Sequence, residues 1–111
     1  MKMADERCNK IYKYLYEKHD YCTKEELMYL VGISSERTIR ELISKISMKV
    51  PIISTSDRKG YKLARKVGDL EEVEHAWKEI DSRIEELEKK RKPLIKFREK
   101  VLEIKNNISE V

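Results

Sequence analysis

The sequence predicts a mainly α-helical fold with one small β-hairpin and a long helix towards its C-terminal end. Two observations lead to this fold class. Residues 23–63 read as a helix, a glycine turn, a second helix and then a short hairpin whose basic turn ends in Gly-Tyr. From Leu70 to Ile108, apolar residues recur at alternating spacings of three and four, which is typical of a helix that buries one stripe.

The helix before the turn starts with a capping signal. Thr23 is the predicted N-cap and Glu26 follows three residues later, a pairing that satisfies two backbone donors at a helix start. Gly32 should end this helix, because glycine adopts a positive φ without a Cβ penalty. Cys8 belongs to the segment before this helix and lies on an apolar helical face. This position favours a core role for Cys8 over a disulfide or a metal site.

The helix after the turn is amphipathic. Ser34 or Ser35 can serve as its N-cap, since a serine hydroxyl accepts a hydrogen bond from the first backbone amides. Apolar residues at helical spacing then define the face that we expect to be buried. These residues are Ile39, Leu42, Ile43 and Ile46.

The run SSERTIRELISKI followed by VPIISTSDRKGYKLA resembles the winged-helix DNA-binding domains related to the N-terminal domain of biotin repressor. In that group a Ser-x-Arg-Thr-Ile/Val-Arg recognition helix leads into a strand, a basic turn and Gly-Tyr-x-Leu. The resemblance covers residues 1–64 and implies a winged helix-turn-helix that binds double-stranded DNA. The corresponding residues here are Ser35, Arg37, Thr38, Ile39 and Arg40, then Ile52, Ile53, Gly60, Tyr61 and Leu63.

DNA contacts are expected from two places in this region. Side chains off the apolar face of the second helix can reach base edges and phosphates. Cations around the hairpin turn can contact the backbone or the adjacent minor groove. The predicted DNA-binding residues are Ser35, Arg37, Thr38, Arg40, Lys45, Arg58, Lys59 and Lys62.

The charged residues along the long helical pattern form two blocks of opposite sign. Residues 67–88 hold nine acids against Lys78 and Arg83, a net charge of −7, whereas residues 89–105 hold eight bases against Glu99 and Glu103, a net charge of +6. Written as a heptad with Leu70, Trp77 and Ile84 at a sites, the d column stays apolar throughout, at Val73, Ile80, Leu87, Leu94, Val101 and Ile108. The a column starts apolar and then turns basic at Arg91, Arg98 and Lys105, while Ile95, Phe97 and Leu102 broaden the apolar face.

The apolar stripe predicts a homodimer, because so small a winged helix cannot cover it. In an antiparallel pair the acidic half of each chain faces the basic half of the other, so the charges favour that arrangement. A parallel dimer or higher oligomer, a different partner protein, and a helical hairpin folded at Pro93 remain alternatives. Pro93 can kink a continuous helix or begin a second one. The predicted dimerisation residues are Leu70, Val73, Trp77, Ile80, Ile84, Leu87, Leu94 and Val101.

The predicted organisation is therefore a winged helix-turn-helix at 1–64, a linker at 65–69, and a long helix or helical hairpin for dimerisation at 70–108. Neither a Gly-rich phosphate loop nor a nucleophile elbow is present in the sequence, so we expect a non-enzyme without cofactor or metal. No apolar run approaches the length of a membrane span, and we expect a cytoplasmic protein.

Two function classes follow. The first is a double-stranded DNA-binding protein that acts as a dimer, either a small transcriptional regulator or a phage or mobile-element DNA factor. The alternative is a protein-interaction module, such as a replication adaptor or an inhibitor of a host machine. Glu36 and Glu41 keep the alternative open, because they are acidic on the helix that would face DNA.

Overall fold

A computed structural model describes residues 3–56 and 60–109 of this chain. It confirms the mainly helical class, the two-stranded antiparallel hairpin and the long C-terminal helix. The chain divides into two compact units, Met1–Ala76 and Trp77–Val111. In order, the elements are α1 (Glu6–Lys18), α2 (Lys24–Val31), α3 (Glu36–Ser47), β1 (Ile52–Ile53), β2 (Lys62–Leu63), a 3₁₀-helix (Val67–Asp69) and α4 (Leu70–Ser109).

The ends of α2 and the start of α3 follow the predicted local signals. Thr23 and Glu26 form the capping box, with the Thr23 hydroxyl accepting from the Glu26 amide at 3.1 Å. Gly32 ends α2 with a φ of 68°. Ser35, rather than Ser34, caps α3, and its hydroxyl accepts from the Thr38 amide at 3.3 Å. Each cap satisfies a backbone group that the helix itself leaves without a partner.

The capping carboxylate of α2 also joins α2 to α1. The ammonium of Lys18 lies 2.5 Å from Glu26 Oε2, and the Tyr14 hydroxyl donates to the same oxygen at 2.9 Å. The hydrogen bonds from Lys18, from the Thr23 amide and from Tyr14 lower the pKa of Glu26 to about 2. The carboxylate therefore stays ionised in the folded chain well below the pH at which a free glutamate is protonated.

Helices α1, α2 and α3 share one small hydrophobic core. The predicted buried face of α3 is confirmed, and so is the core position of Cys8. Both cysteines are buried free thiols, and Cys8 Sγ lies 3.8 Å from the carbonyl oxygen of Leu42 on α3. The largest fully buried side chains are Ile11, Leu15, Leu27, Ile39, Leu42, Ile46 and Ile53.

The hairpin is attached to the helices by a close backbone contact. β1 and β2 pair antiparallel, with Ile52 opposite Leu63. Directly before β2, Tyr61 exchanges two backbone hydrogen bonds of 2.8 Å each with Cys22. Gly60 has a φ of 133°, and a Cβ at this position would lie 2.4 Å from the Cys22 carbonyl oxygen. Only glycine fits both this φ and this approach, so Gly60 has a structural role in attaching the hairpin.

The segment between β2 and α4, predicted as a linker at 65–69, is held by specific contacts. The guanidinium of Arg65 stacks 3.6 Å from the centroid of the Tyr16 ring and donates to the Tyr16 carbonyl oxygen. Asp69 accepts hydrogen bonds from the backbone amides of Arg65 at 2.8 Å and Lys66 at 3.0 Å. This segment contains the 3₁₀-helix that leads directly into α4.

Helix α4 runs through Pro93 as one element of 40 residues. Of the two arrangements considered for Pro93, the structure therefore has the continuous helix and not a second helix folded back on the first. Within the Trp77–Val111 unit, residues 77–109 span roughly 50 Å at about 1.5 Å per residue. Among the described residues, no helix combines the length and apolar character needed to cross a membrane.

Candidate nucleic-acid interface

Helix α3 has two opposite surfaces. One surface is the buried face that packs against α1 and α2, and the other carries Arg37, Arg40, Glu41 and Lys45 into solvent. The Arg37 side chain is 90% exposed and that of Arg40 is 64% exposed. The core thus fixes which side chains of α3 a large ligand could reach, because the helix cannot rotate without exposing its apolar face.

The arginines of the exposed surface are paired with acids on the same helix. Arg37 Nε lies 3.2 Å from Glu41 Oε1, and an Arg40 guanidinium nitrogen lies 3.5 Å from Glu36 Oε2. Lys24 at the start of α2 also approaches Glu36, at 3.0 Å, and this hydrogen bond lowers the pKa of the Glu36 carboxyl. Exposed pairs of this kind contribute little to stability, so the arginines can change partner at small cost.

An open groove of about 340 Å³ adjoins α3. Its lining combines the start of α2, the Arg40 side chain and the hairpin residues Ser54 and Tyr61. Lys24 is part of this lining and was missed by the sequence reasoning. The sequence signal for Lys24 is its place directly after an N-cap, because the amides of a helix start and a cation together favour the binding of an anion.

The other predicted residues on α3 have more limited roles. The Ser35 hydroxyl is engaged as the N-cap, although the residue is exposed. Thr38 is half-buried at the edge of the exposed surface, and Lys45 is exposed in the last turn. The structure therefore brings Arg37, Arg40 and Lys45 onto one solvent-facing surface. Arg58 and Lys59, predicted at the hairpin turn, lie outside the described residues.

Lys62 lies beside a basic turn, a position that suggests a phosphate contact, but its side chain is mostly buried and paired with acids. Its side chain is only 14% exposed, and its ammonium lies 3.0 Å from Asp69 Oδ1 and 3.0 Å from Glu72 Oε1. The hydrogen bonds to Glu72 and Asp69 raise the pKa of Lys62. Its charge is thus compensated inside the Met1–Ala76 unit, and little of it remains to attract a phosphate.

Asp69 and Glu72 are stabilised as anions by the same cluster. The backbone amides of Arg65 and Lys66, together with Lys62, hold the pKa of Asp69 well below its usual range. The Tyr21 hydroxyl donates to Glu72 and, with Lys62, lowers the pKa of that carboxyl. The cluster of Lys62, Asp69 and Glu72 joins β2 to the first turn of α4, and we interpret it as a structural element rather than a ligand site.

The predicted dimerisation residues lie along α4 and are largely exposed. Trp77 is 63% exposed and Leu94 is 72% exposed, whereas Val73 and Val101 are half-buried. In the Trp77–Val111 unit, burial is described for residues 77–108, and none of these residues is fully buried. The exposed large apolar side chains of α4 are Leu70, Trp77, Ile80, Ile84, Leu87, Leu94, Ile95, Phe97, Leu102, Ile104 and Ile108.

Comparisons with known proteins add no family to this description. No protein-family model matches the chain, and neither the curated proteins nor the solved structures include a significant match. Among the residues that the structure describes, no group of three or more His, Cys, Asp or Glu side chains could hold a metal ion.

Proposed function

We propose that residues 1–64 form a winged helix-turn-helix that binds double-stranded DNA, with α3 as the recognition helix. The order of α2, the Gly32 turn, α3 and a hairpin supports this arrangement. The observation that carries the proposal is the surface of α3, where Arg37 and Arg40 are exposed on the side opposite the core. An arginine at this position can donate two hydrogen bonds to one guanine in the major groove.

Electrostatics supports the same proposal. Residues 1–64 carry 13 Lys and Arg against nine Asp and Glu, a net charge of +4. The two glutamates on α3 are exposed and hold their arginines in weak pairs, which a phosphate or a guanine can replace. Such a protein would act by occupying DNA, as a small transcriptional regulator or a phage or mobile-element DNA factor does.

Duplex binding at low salt tests the proposal. Fluorescence anisotropy with a pool of random duplexes should detect binding by the wild type, and selection from the pool should yield a preferred site. Arg37→Ala should weaken that site by about 1–3 kcal/mol, roughly 5- to 150-fold, and relax the preference at one base pair. Lys10→Ala, which removes one exposed positive charge from α1, is the matched control and should change affinity much less.

The salt dependence separates backbone contacts from base contacts. Lys59→Ala at the predicted hairpin turn should weaken all duplexes about equally and reduce the slope of log affinity against log salt by about 1. The proposal fails if the wild type binds no duplex in low salt, or if Arg37→Ala and Lys10→Ala lose affinity equally.

The pairing of the α3 arginines with Glu36 and Glu41 favours a second candidate, a protein-interaction module. Glu41→Gln distinguishes the two, because it releases Arg37 from its acidic neighbour. It should strengthen DNA binding if α3 faces DNA. If the wild type binds no duplex, and Glu41→Gln gains no affinity for one, a protein-binding surface is the better account of α3.

A further inference from the structure

Between Trp77 and Ile108, α4 exposes an apolar stripe. Trp77, Ile84, Leu87 and Leu94 are each about half exposed or more. A soluble protein seldom leaves so long an apolar stripe in water, since covering such a surface is the main favourable term in association. The stripe repeats every three or four residues, which is the spacing of a helix that packs along another helix.

We propose that the stripe is a homodimer interface in which two copies of α4 pair antiparallel, centred between Lys92 and Pro93. In this register each a site of one copy meets a d site of the other, as antiparallel seams require. Trp77 faces Ile108 of the second copy, and Ile84 faces Val101 of the second copy. Pro93 occupies a c site on the outer side of the helix, so its ring stays out of the seam.

The basic a sites argue against the parallel alternative. In a parallel in-register dimer, a sites face their own copies, so Arg91, Arg98 and Lys105 would each lie against an identical cation. Three like-charged layers in one seam would oppose association, because a charge in a partly buried interface is poorly screened.

The antiparallel register places two of these cations beside acidic neighbours. Arg98 faces Leu87 of the second copy, which is flanked in sequence by Glu86 and Glu88. The carboxylates at these two positions can compensate the guanidinium while its methylene stem covers the leucine.

The second cation, Lys105, lies further along the same seam. It faces Ile80 of the second copy, which is flanked by Glu79 and Asp81. The same match holds at the two ends of the seam, because residues 77–88, with a net charge of −3, face residues 97–108 of the second copy, with a net charge of +1. The acidic neighbours that Arg98 and Lys105 meet in this register therefore favour a second copy of this chain, in reversed direction, as the occupant.

Disulfide trapping tests the register directly. Ile84→Cys and Val101→Cys are prepared separately, one of them with a longer tag so that mixed dimers can be recognised on a gel. In the antiparallel dimer, two copies of residue 84 lie roughly 25 Å apart along the axis, since 17 residues separate positions 84 and 101 at about 1.5 Å each. A disulfide needs Cα atoms within about 7 Å. The wild type is the control, because its two thiols are buried.

We expect neither variant to cross-link alone and the mixture to yield the mixed dimer. Self-cross-linking of Ile84→Cys alone would overturn the proposal in favour of a parallel dimer. A wild type that sediments as a monomer at micromolar concentration would overturn it as well and point to a different partner chain. This inference does not depend on DNA binding.

A charge exchange provides a second measurement with the seam intact. Arg98→Glu should weaken the dimer about tenfold, and adding Glu88→Lys should restore at least half of the lost affinity. Absence of both the loss and the rescue would contradict the proposed register.

Discussion

Gly60→Ala tests how the hairpin is attached. Gly60 combines a φ of 133° with a Cβ position only 2.4 Å from the Cys22 carbonyl oxygen and 2.9 Å from the Cys22 carbonyl carbon. Both neighbours are backbone atoms, so no side-chain rotation can relieve the clash. The backbone of Gly60 must move away, and Tyr61 must move with it. The variant should therefore lose the two hydrogen bonds that Tyr61 exchanges with Cys22.

The expected cost follows from these two losses. Holding an alanine at this φ costs about 1–3 kcal/mol, and each lost backbone hydrogen bond costs about 0.5–1.5 kcal/mol net. The two terms add to about 2–6 kcal/mol, so we expect the free energy of unfolding to fall by about 4 kcal/mol. That loss is large beside a total stability of roughly 5–15 kcal/mol and should lower Tm by roughly 15–30 °C.

Two other glycines serve as graded controls in circular-dichroism melts and urea titrations. Gly32 has a φ of 68° but open space around its Cβ position, so Gly32→Ala should cost only about 1–2 kcal/mol from backbone conformation. Gly68 has neither a positive φ nor a neighbour within 4 Å, so Gly68→Ala should be almost neutral. If Gly60→Ala proves no more destabilising than Gly32→Ala, the close approach to Cys22 does not constrain the hairpin.

Three further predictions concern the Met1–Ala76 unit. The pKa of Glu26 is lowered from 4.5 to about 2, so its stabilising effect should be complete above pH 4.5 and lost as the pH falls towards 2. Urea titrations across this window should show a weaker pH dependence for Glu26→Gln than for the wild type. Ile39→Ala should lower the free energy of unfolding by about 2–5 kcal/mol in the same assay, because the Ile39 side chain is fully buried. Tyr29 is 91% exposed, so the control Tyr29→Ala should change stability by about 0.5 kcal/mol or less. Lys62→Met should destabilise the fold at neutral pH far more than Lys10→Met, since it leaves the carboxylates of Asp69 and Glu72 without their cation. Equal effects of the two variants would mean that this cluster contributes nothing to stability.

Features that depend on neighbours within one or two helical turns were predictable. The Thr23 capping box, the Gly32 helix end and the buried face of α3 each involve residues three to seven positions apart, so the sequence pattern contains the whole interaction. The sequence does not decide between Ser34 and Ser35 as N-cap, because both serines precede the same helix and only the backbone geometry separates them.

The role of Lys62 could not be predicted in the same way. Beside a basic turn, a lysine looks like a phosphate contact, and nothing in the local pattern pairs it with Glu72, ten residues later. The pairing requires the 3₁₀-helix to fold the chain back so that the first turn of α4 approaches β2. The contact of Arg65 with Tyr16 joins residues 49 apart in sequence, and it escaped prediction for the same reason.

The two buried thiols provide the chain with intrinsic probes of local opening. Cys22 lies at the point where the hairpin joins the helices, and Cys8 lies between α1 and α3. Burial raises the pKa of both thiols, so each reacts with a reagent chiefly when its surroundings open. The ratio of the two labelling rates therefore reports whether the hairpin detaches separately from the three-helix core, on timescales that a melting curve does not resolve.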